Sequence, residues 1–299
     1  MASTIWKRVP NEVVLIIIEH LPFDAGTFRA LHLVDRHLQS VITTYEYSVT
    51  LSIAQTQYPD ALTIYLASSP LRITRPAFHW LSELHNRSNT IATILGLVAS
   101  TSLQIVLPQP QAPWIRLITA ALHICYRLQD CSSSSERAAL ICSLPLNSLA
   151  VVYITLLFVS RAAQQIRNSI MHPDSAPARE EQLMEICLCF EQCCLQHGPE
   201  FIRGILVPSY HGDCNRCHQK PDANEMLLEE WNTMNETRVS MTDGQPPQQT
   251  LISCFKERFM EKGNCARHEM YSTAWKVTQG KGLLGGSSSV VTLALDPGH

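Results

Sequence analysis

Four residues towards the C-terminus have the types and spacing that hold a metal ion. Cys214 and Cys217 stand with two residues between them in the polar stretch Tyr210-His211-Gly212-Asp213-Cys214-Asn215-Arg216-Cys217-His218, and Cys265 and His268 repeat that spacing. Two intervening residues let both donors reach one ion across a tight turn. Two such pairs complete a tetrahedral Cys₃His set, which suits zinc. Such a zinc would be structural, because four protein ligands leave no open coordination position. His211, His218 and Cys254 are further donors, so the spacing leaves the ligand assignment open. The competing reading is a solvent-exposed loop with incidental thiols and a remote cysteine.

The remaining candidates for chemistry fail on context. Gly280-Lys281-Gly282-Leu283-Leu284-Gly285 is a literal G-x-G-x-x-G, but Trp275-Lys276-Val277-Thr278-Gln279 before it is hardly a buried strand. No helix is expected after it, and the chain ends too soon for a ribose-binding acid. A thioredoxin-like role for Cys214 and Cys217 lacks the strand-then-helix setting. Cys187, Cys189, Cys193 and Cys194 fall on one predicted helix, where free cysteine packs as a small hydrophobe. There is no G-x-S-x-G, no P-loop and no His-Glu-x-x-His, so nothing nominates a catalyst and no enzymatic role is expected.

The elements that position these residues are expected to be helices. Residues 43–69 read as two short elements broken at Tyr58-Pro59-Asp60, and 70–76 as a loop. Phe78, Leu81, Leu84, Ile91, Ile94, Leu95 and Val98 recur at helical spacing, predicting one long helix or two over 77–107. The prolines of 108–113 stop that element and start a helix over 114–129. After Asp130-Cys131 and four serines, a helical stretch over 136–168 is kinked near Pro145. Residues 171–178 read as a linker. The helix over 179–196 is closed by His197-Gly198-Pro199, a glycine cap followed by a proline stop, and a short helix over 200–207 follows. Two more helices are expected around Met226-Leu227-Trp231 and Leu251-Phe255-Phe259. The last residues form a Gly/Ser-rich tail, flexible by composition, in which 290–295 could pair as one strand.

Composition bounds the partners. With 299 residues the chain can bury a large core, 45% of it is apolar and only 16% charged, and the net charge of −3 offers no basic footprint for nucleic acid. Lys7 and Arg8 precede an apolar run, but Pro10 and Glu12 interrupt it and no small-residue cleavage site follows. The expectation is a cytoplasmic or nuclear protein. Eleven cysteines in that reducing setting are thiols or metal ligands instead of a disulfide framework, and the sequons at Asn86 and Asn235 carry no sugar. Residues 138–160 are uncharged and long enough to span a bilayer, but Pro145, Asn147 and the serines weaken a membrane reading and a buried bundle helix explains them equally well.

The most unusual stretch opens the chain. Pro10 and Pro22 frame a helix of about three turns, with Asn11 as the expected N-cap and Glu12 at the positive end of the helix dipole. Its centre, residues 13–18, is six consecutive aliphatic side chains, which go right round the cylinder. A helix apolar on every side and close to a terminus is expected to bury a second surface against a partner. Phe28, Leu31, Val34, Leu38, Val41 and Ile42 continue at helical spacing.

Residues 9–42 resemble an F-box. Its pattern opens with Leu-Pro-x-Glu and an aliphatic helix ending in Leu-Pro, then continues roughly as Leu-x-x-Leu-x-Leu-Val-x-Arg-x-aromatic-x-x-Leu-Ile. Pro10, Glu12, Leu15, Ile18, Leu21 and Pro22 match the first half, and Leu31, Leu33, Val34, Arg36, Val41 and Ile42 the second. Val9 stands where the family has leucine, Asp35 where it has a small residue or cysteine, and Leu38 where it has an aromatic. In composition the whole chain is similar to helical F-box proteins of filamentous fungi.

The resemblance implies docking on the Skp adaptor of a cullin-based ubiquitin ligase through Val9, Pro10, Ile16, Ile17, Leu21, Pro22, Leu33 and Val34. It also implies a helical body that presents a substrate protein, about whose identity the sequence says nothing. The expected architecture is mostly α: an F-box-like segment (1–45), an irregular helical bundle (46–208), a helical C-terminal part with the candidate zinc site at Cys214, Cys217, Cys265 and His268 (209–275), and the tail (276–299). No cofactor beyond that structural zinc is expected. Two alternatives stand beside this reading: a zinc-stabilised helical scaffold with no ubiquitin-ligase role, and a membrane-associated helical protein using residues 138–160.

Overall fold

The computed structural model describes residues 9–68, 77–100, 112–166, 171, 180–207, 222–240, 250–280, 290 and 294. Among them the protein is mostly helical, with thirteen α-helices and no strand. In chain order these are α1 (Asn11–His20), α2 (Ala25–Val34), α3 (Arg36–Thr44), α4 (Glu46–Gln57), α5 (Pro59–Ser68), α6 (Phe78–Ser100) and α7 (Ala112–Asp130). Then come α8 (Ser134–Ser143), α9 (Leu146–Gln164), α10 (Glu180–Leu206), α11 (Ala223–Ser240), α12 (Leu251–Gly263) and α13 (Met270–Gln279). Contacts divide the chain into two compact units, Met1–Asn89 and Thr90–His299.

In the first unit, α1 packs on α3 and α4, α2 on α3, and α4 on both α3 and α5. The core gathers Val14 and Ile18 from α1, Phe28 from α2, Leu38, Val41 and Ile42 from α3, and Val49 and Ile53 from α4. Trp80, Leu81 and Leu84 close it. Phe28 packs its ring, tilted, against Phe23 at 5.1 Å and Phe78 at 5.3 Å, which fixes the chain leaving α1 against the start of α6. The helix ends differ from the sequence expectation in two places. Asn11 is the first helical residue of α1 and not its cap. The cap position falls to Pro10, whose carbonyl accepts from the Val13 and Val14 N–H groups and whose ring offers no acceptor to the first turn. The helical spacing over 28–42 is interrupted at Asp35, which leaves helical geometry and accepts from the His37 N–H at 2.7 Å to start α3.

In the second unit, α9 and α10 form the centre: α9 packs against α7, α10, α12 and α13, and α10 against α7, α9, α11 and α12. The stretch 136–168, expected as one kinked helix, is instead two helices, α8 and α9, separated at Leu144 and Pro145. Although α9 is long and apolar enough to cross a membrane by length and composition, most of its side chains are buried against those four helices. Cys189, Cys193 and Cys194 on α10 are buried, and Cys187 is half-buried with Gln164 Nε2 at 3.0 Å from its sulfur, as packed thiols should be. Gly198 interrupts α10 at φ 69° and ψ −162°, a region essentially closed to side chains, and Pro199 restarts the helix. Trp275 to Gln279 are helical within α13, so the strand that a dinucleotide fingerprint requires is absent from that position. Val290 and Ala294, expected in a strand, are helical and buried, and the Arg127 guanidinium donates to the Ala294 carbonyl.

Candidate protein-docking face

The six aliphatic residues at the centre of α1 divide between two surfaces. Val14 and Ile18, one turn apart, enter the core of the first unit, and Leu15 packs partly against it. Val13, Ile16 and Ile17, spaced i, i+3 and i+4, point outward and stay 43%, 56% and 45% exposed. The end of α2 adds Leu33 at 82% and Val34 at 60%. An isolated exposed aliphatic residue is ordinary. Three lie on one short helix and two are neighbours in sequence at the last turn of the next, and water covers such aliphatic groups poorly.

The eight residues expected to dock fall into two groups. Pro10, Ile16, Ile17, Pro22, Leu33 and Val34 are exposed. Val9 and Leu21 are half-buried, Val9 by packing against the core of the unit. Local chemistry fixes the backbone around them. Gln57, at the end of α4, donates from Nε2 to the Leu21 carbonyl at 2.8 Å and accepts from the Phe23 N–H at 2.9 Å, so one amide holds both sides of Pro22. Asp24 caps α2 by accepting from the Thr27 N–H at 2.7 Å and the Thr27 hydroxyl at 2.8 Å. Those two bonds hold its carboxyl below the usual carboxylate range. Asp35 caps α3 directly after Leu33 and Val34, which ends α2 there and leaves both side chains outside.

Val9, Asp35 and Leu38 each have a local physical role. Val9 packs on the core, Asp35 is a cap, and Leu38 is buried. Gln57 was not foreseen from the sequence. Only its position on a helix thirty-six residues beyond Leu21 gives it a role, and no local pattern marks it.

Of the expected zinc ligands, Cys214 and Cys217 lie outside the described residues. Cys265 is half-buried directly after the left-handed Asn264 cap of α12, and His268 is exposed in the 3-10 turn Arg267–Glu269. Among the described residues no three His, Cys, Asp or Glu side chains come together in a way that could hold a metal ion.

No family model, curated protein or solved structure matches the chain.

Proposed function

We propose that the protein is an adaptor-type binding protein that docks through α1 and the end of α2 on the Skp adaptor of a cullin-based ubiquitin ligase, its second unit carrying the surface for a substrate protein. The observation that carries the reading is the exposure of the aliphatic side chains of Val13, Ile16, Ile17, Leu33 and Val34. Burying an aliphatic side chain fully contributes about 1.5–3 kcal/mol, so these five, each already partly covered, supply on the order of 6 kcal/mol before the cost of association. The order of Pro10, Glu12, Leu21, Pro22, Leu33, Val34 and Arg36 along the chain supports an F-box partner over an arbitrary one.

The test is capture of the full-length protein by an immobilised Skp adaptor, comparing the wild type with the pair Pro10→Ala and Ile17→Asp. Both positions are exposed, so the variant should fold with an unchanged circular dichroism spectrum while capture is lost. Equal capture of the folded variant would refute the docking face. Failure to capture the wild type would refute the partner.

A further inference from the structure

We propose that Cys142 and Cys254 are a peroxide-responsive dithiol that closes as a disulfide between α8 and α12. The two helices pack against each other. Their register is set by Arg258, whose Nε donates to the Cys142 carbonyl at 3.0 Å, and by Lys262, whose Nζ donates to the Leu144 carbonyl. Cys254, Arg258 and Lys262 recur every four residues, so they share the face of α12 turned to the last turn of α8. Cys254 stands one turn before Arg258 on that face, which places it beside the last turn of α8 that carries Cys142. Both cysteines are free, Cys142 exposed and Cys254 half-buried.

The two thiols differ in the way a two-step oxidation requires. Burial first, and then the neighbouring Cys142, push the Cys254 thiol up to about 11, while Arg258 opposes the shift. Cys254 is thus protonated at neutral pH, and Cys142 is the member that meets a dissolved oxidant. The thiolate sulfur of Cys142 attacks one oxygen of hydrogen peroxide, the O–O bond breaks, and the departing hydroxide takes a proton as water. Cys142 is left as a sulfenic acid. The Cys254 sulfur then attacks that of Cys142. The S–O bond breaks, an S–S bond forms, and the hydroxyl leaves with the Cys254 proton as a second water. Two thiols and one peroxide give one disulfide and two waters, a two-electron oxidation of the pair. By contrast Cys125 and Cys194 are fully enclosed, and burial raises Cys125 to about 12 and Cys194 well above its usual value, so neither competes for the oxidant.

The experiment uses the folded full chain, reduced and then exposed to one or two equivalents of hydrogen peroxide. Remaining thiols are alkylated and the protein is digested with trypsin without reductant. Cleavage after Arg137 and Arg161, and after Arg238 and Lys256, yields peptides 138–161 and 239–256, whose single cysteines are Cys142 and Cys254. The expected product joins these two peptides, is two hydrogens lighter than their sum, and accounts for most of the Cys142 signal. It disappears on treatment with dithiothreitol. In Cys254→Ser the same treatment should leave Cys142 as a sulfenic acid trapped by dimedone. Unlinked peptides from peroxide-treated wild type, or either cysteine joined to a different one, would overturn the assignment. The wild-type measurement decides without relying on the folding of any variant.

Discussion

Gln57 and Leu21, thirty-six residues apart, are joined by a 2.8 Å hydrogen bond from the side-chain amide to the backbone carbonyl. The same amide accepts from the Phe23 N–H, so the turn at Pro22 is held by one side chain from α4. Replacing it with an apolar group of similar size leaves a carbonyl and an N–H without their partner. Gln57→Leu should cost about 2 kcal/mol in urea unfolding of the full chain, and Gln57→Glu, which loses only the donor, less. Unchanged stability in Gln57→Leu would show that water satisfies the turn equally well.

Gly198 occupies a conformation that only glycine adopts at little cost, and a Cβ there would also meet the Gln129 side chain. Gly198→Ala should therefore destabilise the protein by about 2 kcal/mol or more, read as a lower urea midpoint at constant slope. Gly96, with open space around its Cα, serves as the control, and Gly96→Ala should be neutral or mildly stabilising.

Lys256 on α12 and Glu191 on α10 form an ion pair at 2.7 Å with side chains only 16% and 9% exposed. Removing one partner strands a buried charge, and Lys256→Met should cost about 3–5 kcal/mol. Combining it with Glu191→Met should restore most of the loss, since two apolar groups need no counter-charge. A double variant no more stable than Lys256→Met would locate the effect in packing instead of charge.

Half-buried His197 supplies a pH dependence. Burial first, and the Arg137 charge second, hold its imidazole below the usual value near 6.5. Between the two values the unfolded chain carries a proton that the folded one lacks, so the folded state loses stability as pH falls. The contribution is complete above about pH 6.5 and declines below it until the folded imidazole also protonates. Urea midpoints measured from pH 8 downward should fall below pH 6.5 more steeply in the wild type than in His197→Gln. Parallel curves would assign the loss to other groups.

Helix positions were largely legible because their signals are local. Pro10 and Pro22 bracket α1, Gly198-Pro199 interrupts α10, and the spacing of Cys189 and Cys193 already placed thiols on a helix face. Two signals were present but outweighed: Asp35 is a capping residue inside an apolar period, and Pro145 ends a run that hydropathy alone joins together. The outward half of α1 was legible only as an excess of aliphatic residues over what one face can bury. Which of them point out depends on α3 and α4 choosing Val14 and Ile18. Gln57 and the meeting of Cys142 with Cys254 had no local signal, since each joins distant helices whose packing no pattern of spacing specifies.

The outward aliphatic side chains of α1 and α2 are the groups we propose that a partner covers. Calorimetric titration of the Skp adaptor into the purified protein tests this most directly, using the wild type, Ile16→Asp, Leu33→Asp and, as a control on the second unit, exposed Met184→Asp. The expected result is wild-type binding with a negative heat-capacity change, weakened at least tenfold by Ile16→Asp and by Leu33→Asp and untouched by Met184→Asp. Binding of equal strength in all four proteins, or in none, would contradict it.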